Sequence, residues 1–516
     1  MAGRKLTIAV EGCCHGELDN IYRQLSIQEQ RMNKRVDLLI ICGDFQAVRN
    51  VTDLECMSCP DKYKQLGGFY RYYTGERRAP IPTIFVGGNH EASNHMRELH
   101  FGGWVAPNIY YMGASGVVRF GGVRIGGITG IFKDYNFEKG FFERPPFRGH
   151  ARSAMHHVRS YEVFKMLQIR SPLDIVVSHD WPLGIEQFGD VNWLLRTKPF
   201  FTEEVNANRL GSPANALLLE HLRPAWWFSA HMHVRFTARV GSNEPIYLEG
   251  WSSIAPNSRN ACQPVAGAVD AAAANADEII VNDEELFGDE DAPPAAESHT
   301  NVSIGESVGM QTPRIAGRST EFLALDKCLP RRQFLEIVDI DIPEDHAEDP
   351  LQLEYDLEWL AILRLTTRHL PFSESPFQLP ADVLNADRTQ DLPLFPDSVV
   401  AKEVEWVNRN IVVDGHALIP CNFVPMAPVP APGTPDTANF GLAARGFNSR
   451  GGRGGGGGRG GFRGGRGRGR GGHYGGNQYD SHPWQGPRPD VLYPNPQTDE
   501  LCKMLDIDDP ITQRTH

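Results

Sequence analysis

Residues 6–15 read LTIAVEGCCH, a nearly unbroken apolar run that ends on two cysteines and a histidine. Such a run, short and rich in β-favouring residues, reads as a strand buried on both faces. The same sentence structure recurs down the chain. VDLLIIC (36–42) is followed by Gly43-Asp44, TIFV (83–86) by Gly88-Asn89-His90-Glu91, DIVV (174–177) by Ser178-His179-Asp180, and WWFS (226–229) by His231-Met232-His233. Carboxyl ends of strands are where open α/β sheets place their ligands. Five segments therefore bring Cys, His, Asp and Asn towards one edge of a sheet.

Working outward, further strands are predicted at 117–120 and 123–128, joined by Gly121-Gly122 as a hairpin, which makes the sheet mixed. Helical patterns fall between the strands, at 17–35, 61–73, 153–168 and 213–221. Alternation of this kind predicts an α/β domain over 1–251 with helices on both faces. Residues 252–318 turn to Ala, Asn, Ser, Pro and acids, around DEELFGDEDAPPAAES, and read as a solvated linker or insertion. Order is expected to return at 319–345, where two strand-like runs flank Pro330-Arg331-Arg332 and complete the catalytic sheet. Residues 350–428 read as a small C-terminal accessory region, with a helical stretch at 353–369 and a strand-like run at 412–419. The tail, 429–516, is predicted to be disordered apart from a short helical segment near 498–505.

The formal net charge of −13 argues against a nucleic-acid partner only until its distribution is considered. Acid collects in the stretch 277–291, whereas no acidic residue occurs between Asp436 and Asp480. There, within 441–476, lies RGGRGGGGGRGGFRGGRGRGRGG. Arg-Gly runs bind single-stranded RNA through phosphate contacts and stacking; the plainer reading is a solubilising tail. Nine cysteines show no paired framework, and no apolar run reaches the ~18 residues that span a membrane. A reducing intracellular compartment and no membrane association are expected.

Carboxylate, imidazole and amide oxygen at shared strand ends are what a pair of metal ions requires, and one carboxylate can bridge both. Two ions about 3.5–4 Å apart activate water and stabilise in-line displacement at phosphorus. Taken singly, a His-x-His on a strand is usually not a metal site, and a Gly-Asp after an apolar strand is more often a simple turn. All five motifs in this order resemble the calcineurin-like metallophosphoesterases. That family opens on Asp-x-His; this chain has Cys13-Cys14-His15, the departure seen in the RNA lariat-debranching enzymes. The stretches CGDFQAVRN, GGNHEASNH, GGWVAPNIYY, SHDWP, WFSAHMHVRF and FLALDKCLP strengthen that resemblance.

The resemblance implies an αββα sandwich of mixed sheets with helices on both faces. It implies one metal held by Cys13, His15, Asp44 and His233, and another by Asp44, Asn89, His179 and His231. The ions would be Fe²⁺, Zn²⁺ or Mn²⁺, with the soft Cys13 thiolate favouring zinc or iron. Cys14 is left as a small buried filler. The implied activity is hydrolysis of the 2′–5′ phosphodiester at the branch of excised intron lariats, by metal-activated hydroxide with His90 as general acid. The segment 129–159 would be a lariat-recognition loop, with Phe132, Tyr135, Phe141 and Phe142 available for base stacking or, alternatively, for packing the loop. Asp180 either orients a ligand or caps a helix. Branched intron RNA is then the substrate, splicing or intron-turnover factors are further partners, and the nucleus is the expected location. Two other readings stay open: a phosphoesterase acting on phosphoproteins or nucleotides, and a non-catalytic RNA-binding scaffold.

Overall fold

The computed structural model describes residues 4–145, 147, 149–246, 318–384, 392–438 and 492–511. The acidic stretch 277–291 and the Arg-Gly run 441–476 lie outside the described residues.

Two sheets lie face to face. The first has the order β12-β1-β2-β3-β5-β4, from β1 (Lys5–Glu11), β2 (Leu38–Ile41), β3 (Thr83–Phe85), β4 (Gly103–Ala106), β5 (Ile109–Tyr111) and β12 (Leu335–Asp341). The second has the order β10-β11-β9-β8-β7-β6-β13. Its strands are β6 (Ser115–Phe120), β7 (Val123–Ile128), β8 (Ile175–Ser178), β9 (Trp226–Ser229), β10 (Phe236–Val240), β11 (Thr320–Ala324) and β13 (Leu353–Tyr355). Both are mixed: β1, β2, β3 and β5 run parallel with β12 and β4 antiparallel to them, and β7, β8, β9, β11 and β13 share one direction with β6 and β10 running against it.

Period two decides what each side chain meets. Leu6, Ile8 and Val10 of β1 enter the layer between the sheets with Val118, Ile125, Val177 and Phe228. Ala9, with Leu39 and Ile41 of β2, turns to the opposite face, against Leu18, Ile21 and Leu25 of the Leu18–Met32 helix. The outer face of the second sheet, including Val176 and Trp227, is covered by the Ser160–Leu167, Pro213–Leu222 and Leu357–Thr366 helices. Helix, sheet, sheet and helix stack in that order, the arrangement of a metallophosphoesterase sandwich.

Several local expectations shift. Residues 61–73 are not one helix but a 3-10 turn at Asp61–Tyr63 and a short helix at Phe69–Tyr73, separated by Gly67-Gly68. Residues 153–168 divide likewise into His150–Ala154 and Ser160–Leu167. The 319–345 segment gives one strand to each sheet, β11 to the second and β12 to the first, and so ties the layers together. At 412–419 there is no strand, only bridges Val413–His416 and Glu354–Leu418.

The start of the 350–428 region shares the main core. β13 pairs with β6, and Trp359, Leu360 and Ile362 pack in the same cluster as Phe164 and Leu167. A buried charge network fastens this join. Arg124 of β7 bonds both oxygens of Asp356 at 2.8 Å and Glu358 at 2.9 Å, while Asp356 also caps the Leu357–Thr366 helix through Trp359 N–H.

The chain's last described segment returns to the first sheet. From the Pro496–Met504 helix, Gln497 accepts the Trp104 N–H at 2.7 Å and donates to the Trp104 carbonyl at 2.9 Å. One side chain thus substitutes for a neighbouring strand along edge strand β4. Replacing Gln497 with Ala leaves that buried backbone pair unmatched and is expected to cost ~1–3 kcal/mol. Arg124→Met leaves Asp356 with Arg119 as its one charged partner and Glu358 with backbone N–H donors alone, and is expected to cost roughly 3 kcal/mol. Urea unfolding of the full chain checks both; an unchanged midpoint for either variant contradicts the role given to it.

Candidate metal centre

The five polar motifs leave the carboxyl ends of β1, β2, β3, β8 and β9, three from the first sheet and two from the second, so the cluster sits where the two layers meet. Close approach dictates two glycines here. A Cβ on Gly43 would lie 2.2 Å from His179 Nδ1, and one on Gly88 would lie 2.2 Å from Asp44 Oδ1. Four non-glycine residues of the cluster take left-handed backbone: His15 (φ 47°), Asp44 (46°), His231 (63°) and His233 (49°). Strain of this kind, on the order of 1–3 kcal/mol per residue, persists where the surroundings hold a functional geometry.

Asp44 is the middle of the cluster and is 1% exposed. Its Oδ2 lies 3.6 Å from His15 Nε2, and its Oδ1 lies 3.4 Å from His179 Nε2. The two oxygens thus face two groups of donors. On one side the ligand atoms of Cys13, His15, Asp44 and His233 all lie within 4.8 Å of one another. On the other side Asn89 Oδ1 is 3.1 Å from His179 Nε2, and the His231 ring centroid is 4.9 Å from that of His179. His179 Nδ1 donates to the Cys42 carbonyl at 2.9 Å, which leaves Nε2 as the bare edge facing the site.

The electrostatics suit cations. Burial would raise the Asp44 carboxyl, but the imidazoles of His179, His90 and His15 and the His90 N–H, bonded at 2.8 Å, hold it well below the usual carboxylate range. Burial lowers His15 to about 4 against the pull of Asp44, with the charges of His90 and Lys327 adding to the effect. Burial likewise keeps His231 and His233 well below the ordinary value. Burial thus works against protonation of these imidazoles, and an unprotonated ring nitrogen is the form that coordinates metal. Burial, followed by Asp44, pushes the Cys13 thiol up, and the His231 N–H opposes this through its 3.3 Å bond to Sγ. His15 Nε2 and His233 Nδ1 are buried without a hydrogen-bond partner. Unmatched donors of this kind, beside an ionised carboxylate and a thiol, fit divalent ions well.

His90 lies at the same edge, its ring centroid 5.9 Å from that of His15 and its Nδ1 without a hydrogen-bond partner. Glu91, given no role by the sequence reading, takes the N–H groups of Phe45, Gln46 and Gly88 at 2.7, 2.9 and 3.0 Å, and so clamps the Gly43-Asp44 turn to the Asn89-His90 turn. Burial and the neighbouring Asp44 raise it to about 8. Its place in Gly88-Asn89-His90-Glu91 was the available signal, but its partners are backbone groups that no motif displays. Lys327 went unnoticed too, because only the fold brings it beside Cys13.

Asp180 caps no helix, since the next helical turn starts after Gly184; its carboxylate receives the Phe132 N–H at 3.4 Å and ties the 129–159 segment to the end of β8. Within that segment Phe141 differs from the base-stacking expectation. It is 6% exposed, set edge-on to His100 at 4.8 Å, with Arg97 over its ring at 4.7 Å, so it braces the segment from within. Phe132 is half-buried against Phe137, and Phe142 lies half-buried between Lys139 and Arg159. Tyr135 is the exposed ring of the four, at 48%.

The sequence matches known families and proteins. Residues 6–235 match the family model for calcineurin-like phosphoesterase, and residues 317–441 match that for the lariat debranching enzyme, C-terminal domain. The chain is 44% identical over 420 residues to lariat debranching enzyme A of Xenopus laevis, covering 81% of this chain and 64% of that one. It is 41% identical over 432 residues to the lariat debranching enzyme of Homo sapiens, covering 84% and 65%. Against the lariat debranching enzyme of Schizosaccharomyces pombe it is 40% identical over 438 residues, covering 82% of this chain and 90% of the relative. The chain thus spans a little under two thirds of the length of the vertebrate relatives and nearly all of the fission-yeast one. With both family models in sequence along one chain, and a full-length relative at this identity, the chain belongs to the lariat debranching enzyme family of calcineurin-like phosphoesterases.

Proposed function

We propose that this protein hydrolyses the 2′–5′ phosphodiester at the branch point of lariat RNA, releasing a linear strand for turnover. The observation that carries the reading is the split of Asp44, whose two carboxylate oxygens address two separate donor groups. Cys13, His15, Asp44 and His233 would hold one divalent ion, and Asp44, Asn89, His179 and His231 the other. Zn²⁺ or Fe²⁺ suits the group with the thiol, and Mn²⁺ also suits the group built from oxygen and imidazole. When bound, the ions supply Lewis-acid polarisation of the phosphoryl group and activation of water at neutral pH.

The chain's own residues do the rest. Asp44 stays charged and fixed by the His90 N–H, so the spacing of the two donor groups is set before substrate arrives. Glu91 locks the two turns that carry Asp44, Asn89 and His90. His90, beside the donors and outside both groups, gives a proton to the departing 2′-oxygen. Exposed Tyr135 is the ring of the 129–159 segment best placed to stack on an unpaired base. Nuclear residence follows from the substrate, and the Arg-Gly run adds non-specific hold on single-stranded RNA.

A branched 2′–5′ RNA, a linear 3′–5′ RNA and a phosphopeptide offered side by side test the reaction class. Cleavage confined to the branched RNA is expected; preference for either other substrate overturns the reading. Complete inactivity after supplementation with Mn²⁺ or Fe²⁺ favours the scaffold instead. His90→Ala is expected to keep its metal content and lose roughly 10²–10⁴-fold in turnover. Loss of metal in that variant would make His90 a ligand. Deleting 441–476 is expected to weaken RNA binding at low salt with turnover unchanged, and unaltered binding would leave that run as a solubilising tail.

A further inference from the structure

A groove of about 630 Å³ runs between the Leu18–Met32 helix and the turn that joins β11 to β12. Its walls present Arg23, Arg331 and Arg332 with Glu17 the one carboxylate among the lining residues and the amides of Gln24 and Gln28 beside them, while Arg332 also lies 3.3 Å from the carboxylate of Asp326. All three arginines are exposed. Arg331 takes left-handed backbone at φ 64°, a conformation that disfavours any side chain and that a glycine would adopt freely. The turn is joined directly to the metal centre. Cys328 N–H bonds the Cys13 carbonyl at 3.1 Å, and Cys13 N–H bonds the Asp326 carbonyl at 3.3 Å. From the same turn, Lys327 is bridged through its backbone to Cys13. The basic turn therefore starts beside the centre at Lys327 and continues through Arg331 and Arg332 into the groove.

We infer that this groove holds the sugar-phosphate backbone of the RNA arm that leaves the scissile phosphate away from the 129–159 segment. Arg23, Arg331 and Arg332 contact its phosphates. The inference rests on the debranching reading and adds a path for the substrate. A branch brings three chains to one nucleotide, so an enzyme that accepts it needs more than one route away from the centre. Planar guanidinium groups match phosphate oxygens in a fork, and glutamine amides suit 2′-hydroxyls and base edges. A volume of this size falls within the ~300–1,000 Å³ of sites that enclose a small ligand.

The test compares two branched RNAs in steady-state kinetics: one with a single nucleotide on each arm, one with long arms. In the full chain loaded with Mn²⁺, Arg23→Glu/Arg331→Glu is expected to raise KM for the long-armed RNA by roughly tenfold or more at low salt. The slope of log KM against log salt should flatten by about 1.4, or about 0.7 for each lost phosphate contact. Turnover, metal content and both constants for the short-armed RNA should match the parent. Arg331→Gly relieves the backbone, so it should melt no lower than the parent yet still raise KM for the long-armed RNA alone. An unchanged KM for the long-armed RNA overturns the inference, as does an equal rise for both substrates. Failure of the parent to cleave the short-armed RNA would instead count against the debranching reading itself.

Discussion

A carboxylate that must stay ionised inside the protein governs this structure. Asp44 is almost wholly enclosed, and enclosure alone would neutralise it. Neutral Asp44 would offer the two donor groups a hydroxyl in place of a shared anion. The fold prevents this with the His90 N–H and with imidazoles from three separate strand ends. It accepts in return a set of left-handed residues and two positions where no Cβ fits. Burial is the source of the problem and of the benefit, because a charge shielded from water acts more strongly on whatever lies beside it.

The two-layer sandwich makes that arrangement possible. The donors come from both sheets, so the apolar layer between them sets the distance across the cluster. Leu6, Ile8 and Val10 facing Val177 and Phe228 are therefore part of the site's geometry, although none of them reaches it. The crossing from β11 to β12 pins the sheets at the edge where Cys13 emerges. Elsewhere, Arg124 with Asp356 and Gln497 with Trp104 draw distant parts of the chain onto the same body. Rigidity at the centre is thus supplied by contacts spread along the described chain.

Much of this was legible in the sequence, for a physical reason. A strand covered on both faces is apolar throughout, so Leu6–Val10, Leu38–Ile41 and Trp226–Ser229 announce themselves, and any polar group just beyond them stands out. The candidate donors are read in that way. What escaped depends on contacts between remote positions. Leu353–Tyr355 has the apolar character of the helix that follows it, and becomes strand β13 only because the edge of β6 is open to it. Val412–Ile419 has strand-like composition but forms only isolated bridges. Phe141 has the same residue type as Phe142 next to it, yet the cage of His100, Arg97 and Arg159 turns it inward. Glu91 shows in a motif but acts on three backbone N–H groups, and Lys327 meets the site only once β11 and β12 are in place.

Anomalous X-ray scattering from crystals grown with Mn²⁺ or Zn²⁺ addresses the two-group architecture most directly. Two peaks are expected, sharing Asp44, one bounded by Cys13, His15 and His233 and the other by Asn89, His179 and His231. A single peak, or a second one lying away from Asp44, would contradict the account.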